Sequence, residues 1–252
     1  MGDLDGTING QISLMLNFTE ECHHLIQWYS VDYVGNNETF QGILFHVDDT
    51  PPVTLHTSGV PLYTDGGNTY VTTQTPFWLN TSDPGECAVG CNYLHWEIYI
   101  WDEDTDMYVI TKSGVEYDNQ VLLTFEEECR HKLVWWSTDH LGNYESVQEA
   151  YFLVDDSPPV TTKTITGPQY ADTFVDIGTH VILNATDHGC QGGIGVQYLH
   201  YEIWWDSDND TNNSIDTLIQ NITIYDNTPQ DLNPLFGEIT AMYTFAEECY
   251  HE

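Results

Sequence analysis

The sequence predicts an all-β protein built from repeated two-sheet sandwiches, and three observations support this fold class. One short phrase occurs three times, over Phe18–His24, Phe125–His131 and Phe245–His251. Its cysteines, Cys22, Cys129 and Cys249, are 107 and 120 residues apart, which is about the length of one small domain. Apolar and polar residues alternate with a period of two, and no segment of ten or more residues shows capped helical periodicity.

The repeated phrase opens a predicted β-hairpin. After Glu20, one strand face carries Cys22, His24, Ile26 and Trp28, and the second copy places Cys129, His131, Leu133 and Trp135 on the matching face. Alternation with aromatic and β-branched residues indicates a strand. A motif Asp-x-x-Gly-Asn follows in both copies, and we expect its glycines, Gly35 and Gly142, to adopt positive φ in a tight turn.

A proline-rich joint follows each hairpin and sets the predicted domain boundaries. The sequence Val-Asp-Asp-Thr-Pro-Pro ends at Pro52, and Val-Asp-Asp-Ser-Pro-Pro ends at Pro159. Proline cannot donate to a sheet ladder, so this sequence ends strand pairing and stiffens a linker. We therefore expect half of a unit at 1–49, a complete unit at 50–156, and at 157–252 a unit without its last strands.

The first half of each unit repeats as well. Thr75–Asp83 parallels Thr179–Asp187, and Tyr93–Ile98 parallels Tyr198–Ile203. About seven short strands in about 105 residues, separated by turn signals, are typical of a two-sheet sandwich.

These motifs together resemble tandem immunoglobulin-like repeats of bacterial and archaeal cell-surface proteins, including S-layer proteins, stalks and adhesins. The likeness is carried by Asp32 and Asp139 with their Gly-Asn turns, and by the Asp-Asp-x-Pro-Pro joints. The resemblance implies a rod of domains that positions something outside the cell.

Charge and missing motifs exclude several functions. Four Lys and Arg residues stand against 40 Asp and Glu residues, which gives a net charge of −36. Nucleic acids and anionic membrane surfaces need a basic surface, so neither is an expected partner. No apolar run approaches the ~20 residues of a membrane-spanning helix, and no nucleophile-elbow, zinc-protease or phosphate-loop motif occurs. We expect a protein that is not an enzyme.

Cysteines and glycosylation sequons favour an extracellular, oxidising location. Asn-x-Ser/Thr sequons begin at Asn17, Asn37, Asn80, Asn184, Asn209, Asn212 and Asn221. Among the six cysteines we expect the pair Cys190–Cys249 and a pair of Cys129 with either Cys87 or Cys91. Cys22 then pairs upstream, with another subunit, or with the spare cysteine of Cys87 and Cys91. A metal site on Glu20, Cys22 and His24 is the alternative; it is disfavoured because successive residues on one strand face cannot all reach one small ion.

Two sets of aspartates suggest calcium. The turns Asp102-Glu-Asp104-Thr-Asp106 and Asp206-Ser-Asp208-Asn-Asp210 place carboxylates at i, i+2 and i+4, a spacing by which a loop can wrap Ca²⁺. Neither turn has the glycine or the final glutamate of an EF-hand. A second set, Asp48, Asp49, Asp155 and Asp156, flanks the proline joints, where a cation would clamp neighbouring domains.

The expected function is that of an extracellular structural protein that forms a cell-surface filament, sheath or S-layer. The last segment stops before a third Trp-x-Ser-x-Asp hairpin, whereas the first segment contains one. Copies of the chain are therefore expected to complete each other's sheets head to tail by strand addition. The rival expectation is a calcium-dependent adhesin or carbohydrate-binding module with glycan partners, using aromatic residues beside the Asp-rich turns: Tyr99, Trp101, Trp204 and Trp205.

Overall fold

The computed structural model describes residues 12–171, 174–189, 193–205, 217–226 and 238–245. Over these ranges the regular structure consists of 18 β-strands, and the fold is all-β, as the sequence predicts. No helix in this part of the chain has the length and apolar character needed to cross a bilayer.

The first element is a hairpin, which we call the first hairpin: β1 (Cys22–Trp28) and β2 (Gln41–Val47). The strands are antiparallel, with Cys22 opposite Val47 and Trp28 opposite Gln41. The carboxylate of Asp32 accepts the N–H groups of Val34 and Asn36 at 2.9 and 2.8 Å, which fixes the turn. Positive φ was expected at both turn glycines and is confirmed, at 91° for Gly35 and 93° for Gly142.

Two sheets follow and form what we call the central sandwich. The smaller sheet contains β3 (Val53–Ser58), β6 (Phe77–Ser82) and β9 (Gln120–Leu123). The larger sheet contains, in spatial order, β4 (Leu62–Asp65), β5 (Asn68–Val71), β11 (Gln148–Val154), β10 (Cys129–Asp139), β7 (Cys91–Asp102) and β8 (Met107–Glu116). These are nine strands where about seven were expected, and the short hairpin β4–β5 was not anticipated.

A continuous apolar core joins the two sheets. Phe77 and Leu79 of the smaller sheet are 1% and 0% exposed, and Leu133 and Phe152 of the larger sheet are 1% and 5% exposed. The rings of Phe77 and Phe152 lie 4.7 Å apart, centroid to centroid. The alternation that predicted strands therefore also identifies which face is buried.

The remaining described strands form a third group. A three-stranded sheet contains β12 (Val160–Thr166), β15 (His180–Thr186) and β18 (Glu238–Thr244). A two-stranded sheet pairs β16 (Tyr198–Trp205) with β17 (Thr217–Tyr225), and β13 (Gln169–Tyr170) pairs with β14 (Phe174–Val175). Five buried residues form its core: Ala185, Val196, Leu199, Ile239 and Ala241.

Candidate functional site at the proline joints

The two proline joints connect the sheet groups. We call 48–52, between β2 and β3, the first junction, and 155–159, between β11 and β12, the second junction. Each joint leaves one antiparallel hairpin and enters a strand of the next sheet, so side chains on both sides of the joint come together there.

A disulfide bridges the first junction. Cys22 at the start of β1 is bonded to Cys87 in the loop between β6 and β7, with the two Cα atoms 5.1 Å apart. The bond therefore ties the first hairpin to the central sandwich across the linker. Pairing of Cys22 with one of Cys87 and Cys91 was one of three alternatives left open by the sequence.

The expected pair of Cys129 with Cys87 or Cys91 is wrong. Cys129 is disulfide-bonded, but Cys87 is taken by Cys22, and Cys91 is a free thiol. Cys91 lies opposite Asp139, at the far end of β10 from Cys129. Ten residues of strand span about 33 Å, whereas a disulfide needs Cα atoms within about 7 Å. The other expected pair, Cys190–Cys249, lies outside the described residues.

Hydrogen bonds reinforce the first junction. Oε1 of Glu21 accepts the backbone N–H of Asp49 at 3.1 Å and the hydroxyl of Thr50 at 2.5 Å. Oδ1 of Asp48 accepts the N–H of Thr50 at 3.1 Å, and its Oδ2 accepts the N–H of Val89 at 2.7 Å. Because Glu21 directly precedes β1 and Val89 belongs to the loop that carries Cys87, the linker is bonded to the segments on both sides of it.

The second junction shows the same set of bonds. Oε1 of Glu128 accepts the N–H of Asp156 at 3.0 Å and the hydroxyl of Ser157 at 2.9 Å. The two oxygens of Asp155 accept the N–H groups of Ser157 and Ile194 at 3.1 and 2.8 Å. Each residue occupies the position of its counterpart in the first joint, so one local sequence produces one geometry twice.

Glycines allow a close approach at the second junction. A Cβ atom on Gly189 would lie 2.4 Å from Oδ1 of Asp155, and one on Gly193 would lie 2.5 Å from the carboxylate of Asp187. Gly193 also has a φ of +71°, which disfavours any larger residue.

Three carboxylates converge at the first junction: Asp48 from the linker, Asp83 after β6 and Asp139 at the end of β10. Each offers an oxygen, and these oxygens lie within 4.8 Å of one another. Asp48 is 9% exposed and Asp139 is 1% exposed. The Oδ1 atom of Asp83 is buried and has no hydrogen-bond partner among the described residues.

Backbone N–H groups hold these carboxylates in place. Oδ2 of Asp83 accepts the N–H of Gly90 at 2.7 Å. Oδ1 of Asp139 accepts three N–H groups of its own turn, and Oδ2 accepts the Asn143 side chain at 2.8 Å. The pKa of Asp83 is raised because burial penalises its charge and because Asp48 and Asp139 repel it, although the Gly90 bond partly offsets this.

Part of this arrangement recurs at the second junction. Oδ2 of Asp187 accepts the N–H of Gly195 at 2.9 Å, as Asp83 accepts Gly90. The pKa of Asp155 is raised by burial and, to a smaller extent, by the charge of Asp187, although the N–H groups of Ile194 and Ser157 partly offset this. Asp155 and Asp187 are therefore the counterparts of Asp48 and Asp83.

The other predicted calcium ligands are not brought together in the part of the chain that the structure describes. Asp102, Asp104 and Asp106 form the β7–β8 turn, but they are not a set whose oxygens lie within 4.8 Å of one another. Asp156 instead accepts hydrogen bonds from the N–H and hydroxyl of Thr73. Asp206, Asp208 and Asp210 lie outside the described residues.

A second cluster, of Cys22, His23 and Cys87, has ligand-type atoms in proximity, but both sulfurs belong to the disulfide. Oxidised sulfurs are not thiolate ligands, so this cluster is not a zinc site in the oxidised protein. His24, a ligand in the alternative metal set, bonds the carbonyl of Glu20 through Nε2 at 2.7 Å.

The predicted sequons differ in accessibility. Asn17, Asn37 and Asn221 are exposed, whereas Asn80 and Asn184 are partly buried within strands. Asn221 donates to Glu202 at 2.6 Å through the nitrogen that a glycan would occupy. Asn209 and Asn212 lie outside the described residues.

An aromatic groove occupies the outer face of the larger sheet. It has a volume of about 300 Å³ and is lined by Tyr70, Tyr108, Arg130 and Tyr151, among others. Lys132 lies 4.5 Å above the ring of Tyr99 and 5.4 Å above that of Tyr108. Of the predicted sugar-stacking residues, Tyr99 and Trp101 lie on this sheet, and Trp204 and Trp205 lie on β16.

The first hairpin has an uncovered apolar face. Trp28 is 44% exposed, whereas Trp135, at the matching position of the central sandwich, is 6% exposed. Ile43, on the facing strand, is 45% exposed. The two hairpins have the same register, since Cys129 lies opposite Val154 as Cys22 lies opposite Val47.

The third group has a matching gap. An apolar cleft of about 260 Å³ is lined by Val181, Leu183, Tyr201 and Ile203, among others. By the sequence repeats, these residues correspond to four that contact hairpin β10–β11 in the core of the central sandwich: Phe77, Leu79, Trp96 and Ile98. In the third group no described hairpin fills that position.

Sequence reasoning found Asp48 but missed Asp83 and Asp139 as its neighbours. A signal was present, because Asp83 and Asp187 both end the repeated segment after an apolar strand, and Asp139 ends the repeated Trp-x-Ser-x-Asp motif. What was missing was the sheet topology that places these three strand ends at one edge.

Comparisons with known proteins add little. No family model matches the chain, and no curated protein matches it. Among solved structures, the chain is similar to the crystal structure of the FN1–FN3 domains of chicken CNTN1, at 8% identity and a TM-score of 0.24, covering 88% of this chain and 72% of that chain.

Proposed function

We propose that this chain is a non-enzymatic extracellular structural protein, an array of immunoglobulin-like units held in fixed relative orientation. The observation that carries the proposal is the first junction, where a disulfide joins the segments on both sides of the linker and three hydrogen bonds join the linker to them. Domains joined by a plain linker move relative to each other by default. A joint that is covalently closed at the first junction, and whose hydrogen bonds recur at the second, suits a protein whose task is to hold a shape.

Small-angle scattering of the oxidised chain tests this proposal. We expect a particle of constant, elongated shape, and we expect the Cys22→Ser/Cys87→Ser variant to scatter as a more flexible chain. Cys91→Ser is the matched control, because Cys91 is a free thiol and its loss leaves the joint intact. An oxidised chain as flexible as the double variant would contradict the proposal.

We further propose that copies assemble head to tail into a filament, with the first hairpin of one copy in the cleft of the next. The hairpin has the register of β10–β11, and the cleft residues correspond to those that β10–β11 covers. In the central sandwich β10 pairs with β7 over the whole of His131–Asp139, whereas β16 pairs only with β17 among the described strands. A donated hairpin would satisfy the free edge of β16 and bury both apolar faces.

Sedimentation velocity across protein concentrations tests the assembly. Ile26→Ala is expected to weaken self-association at least tenfold, because its counterpart Leu133 is 1% exposed in the central sandwich. Leu25→Ala is the matched control on the opposite face of the same strand, where the counterpart is Lys132. A wild-type chain that stays monomeric at high concentration contradicts head-to-tail assembly.

A second candidate function is carbohydrate binding at the aromatic groove. The observation that favours it is Arg130, which lines the groove and makes no hydrogen bond or ion pair to another described residue, despite 40 acidic residues in the chain. Arginine recognises carboxylates through paired N–H donors. Binding of acidic sugars on a glycan array, lost in Arg130→Gln and kept in Lys112→Gln, would favour this function over the structural one.

A further inference from the structure

We propose that Asp48, Asp83 and Asp139 form a calcium-binding site at the first junction. The site stands on its own geometry, and only its purpose, to stiffen the joint, rests on the proposed function. It replaces the looser expectation that adjacent aspartates of the linker bind a cation together.

The distances suit a single calcium ion. Calcium binds oxygen at 2.3–2.6 Å, so two oxygens on one ion can be at most about 5 Å apart. The three carboxylates meet this limit, with their oxygens within 4.8 Å of one another. Calcium accepts irregular sets of six to eight oxygens, whereas Mg²⁺ demands a near-ideal octahedron. Three carboxylates from three separate segments suit calcium better.

The buried oxygen of Asp83 points to a missing partner. Its Oδ1 atom is shielded from solvent and accepts no hydrogen bond from any described group. An unpaired buried acceptor costs about 1–3 kcal/mol, and more when it is charged. No Lys, Arg or His forms an ion pair with these three aspartates within the described ranges. A cation between the carboxylates removes both the unpaired acceptor and the mutual repulsion.

A proton is the competing partner. It would neutralise one carboxyl group and form one hydrogen bond, as in paired catalytic aspartates. A proton shared by two of the carboxyl groups would leave the third carboxylate without a countercharge. Such a charge is costly at this site, where Asp139 is only 1% exposed. A divalent ion contacts all three groups at once.

The surrounding N–H groups are arranged as supports for ligands. Val89 N–H holds Asp48, Gly90 N–H holds Asp83, and the Asn143 side chain holds both Asp139 and the backbone carbonyl of Asp48, the latter at 3.1 Å. Such bonds orient ligands before the ion arrives. Because the three aspartates come from the linker, from the end of β6 and from the end of β10, one ion would fasten the linker to both sheets.

The experiment uses the oxidised chain of 252 residues. Thermal unfolding is followed in 5 mM CaCl₂, 5 mM MgCl₂ and EDTA, together with isothermal titration of CaCl₂. We expect calcium to raise the Tm by at least about 4 °C, and magnesium to raise it less. Asp83→Asn should abolish this shift and, in EDTA, should melt at or above the wild-type temperature, since it removes one of three like charges whose oxygens lie within 4.8 Å of one another. Asp104→Asn, in the exposed β7–β8 turn, should retain the shift.

Each other outcome overturns the site. A wild-type chain with the same Tm in calcium and EDTA, or with equal shifts for both cations, contradicts a calcium site. A shift that survives Asp83→Asn but disappears in Asp104→Asn assigns the ion to the turn. The scattering experiment is a separate readout: a fixed elongated particle whose Tm and titration show no calcium binding refutes this site alone, and calcium binding by a flexible chain refutes the structural function alone.

Discussion

A buried carboxylate, Glu145, fastens the start of β3 to β10 in the central sandwich, and its removal tests how much burial strengthens such bonds. Glu145, 7% exposed, accepts the N–H of Thr54 at 2.9 Å, the hydroxyl of Thr54 at 2.7 Å and the hydroxyl of Ser137 at 2.9 Å. Thr54 follows the proline joint, so these bonds fasten the start of β3 to β10. The perturbation is Glu145→Ala.

The expected loss of stability follows from the hydrogen-bonding groups that lose Glu145 as their partner. The two hydroxyls already bond each other at 3.0 Å and can satisfy one another. The N–H of Thr54 is left unpaired in a buried site, which costs about 1–3 kcal/mol. Loss of the packed side-chain carbons adds about 1 kcal/mol. We expect Glu145→Ala to lower the free energy of unfolding by about 3 kcal/mol.

The chain provides a matched control in the first hairpin. Glu38 accepts the hydroxyl of Ser30 at 2.7 Å, and its N–H bonds the Ser30 carbonyl as that of Glu145 bonds Ser137, but both residues are exposed. Glu38→Ala should therefore change stability by no more than about 0.5 kcal/mol. Urea denaturation followed by tryptophan fluorescence, at protein concentrations too low for self-association, measures both. Equal losses in the two variants would refute the argument from burial.

The remaining predictions concern packing, pH and the disulfide. Gly114→Ala should lower the free energy of unfolding by about 1–3 kcal/mol, because its Cβ would lie 2.5 Å from the ring of Trp96. Gly42→Ala is the control and should leave it unchanged, since the nearest atom to its Cβ would be 3.5 Å away. Urea denaturation of both variants measures the difference. Burial lowers the pKa of His131 and His56 below 6.5, so just below pH 6.5 the unfolded chain binds more protons than the folded chain does. Stability should therefore be full above that pH and fall, as the pH decreases, by up to about 1.4 kcal/mol per pH unit for each histidine. A series of urea titrations from pH 7.5 to 5 measures this. Cys22→Ser/Cys87→Ser should lose about 2–4 kcal/mol in the same assay, the upper value being the chain-entropy estimate for a closed loop of 65 residues. An unchanged midpoint in Gly114→Ala, in the pH series or in this double variant would contradict the reasoning behind that prediction.

The fold class followed from the sequence because local signals agree with each other there. The period of two at 129–139 predicts a strand, and these residues form β10, in which the predicted inner face from His131 to Asp139 is buried throughout. The turn at Gly142 and the end of pairing before Pro159 are set by backbone chemistry that is visible in the residues themselves. The hairpin β4–β5 was missed because its strands have only four residues each, too few for alternation to stand out.

The cysteine pairing did not follow from the sequence, since it depends on which end of a strand each residue occupies. Judged by sequence spacing alone, Cys129 and Cys91 could form a disulfide within one unit. However, β7 and β10 are antiparallel and place the two cysteines at opposite ends. The positive φ of Cys22 and Cys129, 81° and 106°, marks both as the points where the chain turns into the hairpin, beside the linker. From that position Cys22 reaches forward across the linker to Cys87 of the central sandwich.

The same reasoning explains why the candidate cation site lies between units. The end of β6, the end of β10 and the linker all meet at the edge of the sandwich where the preceding unit is attached, and each supplies one aspartate. Inside a sandwich these carboxylates would be buried without a countercharge. On an open surface water would solvate them and screen their repulsion. At the joint the carboxylates are both buried and close to one another. A cation bound there, beside the disulfide, would therefore contribute most to fixing the orientation of the two units.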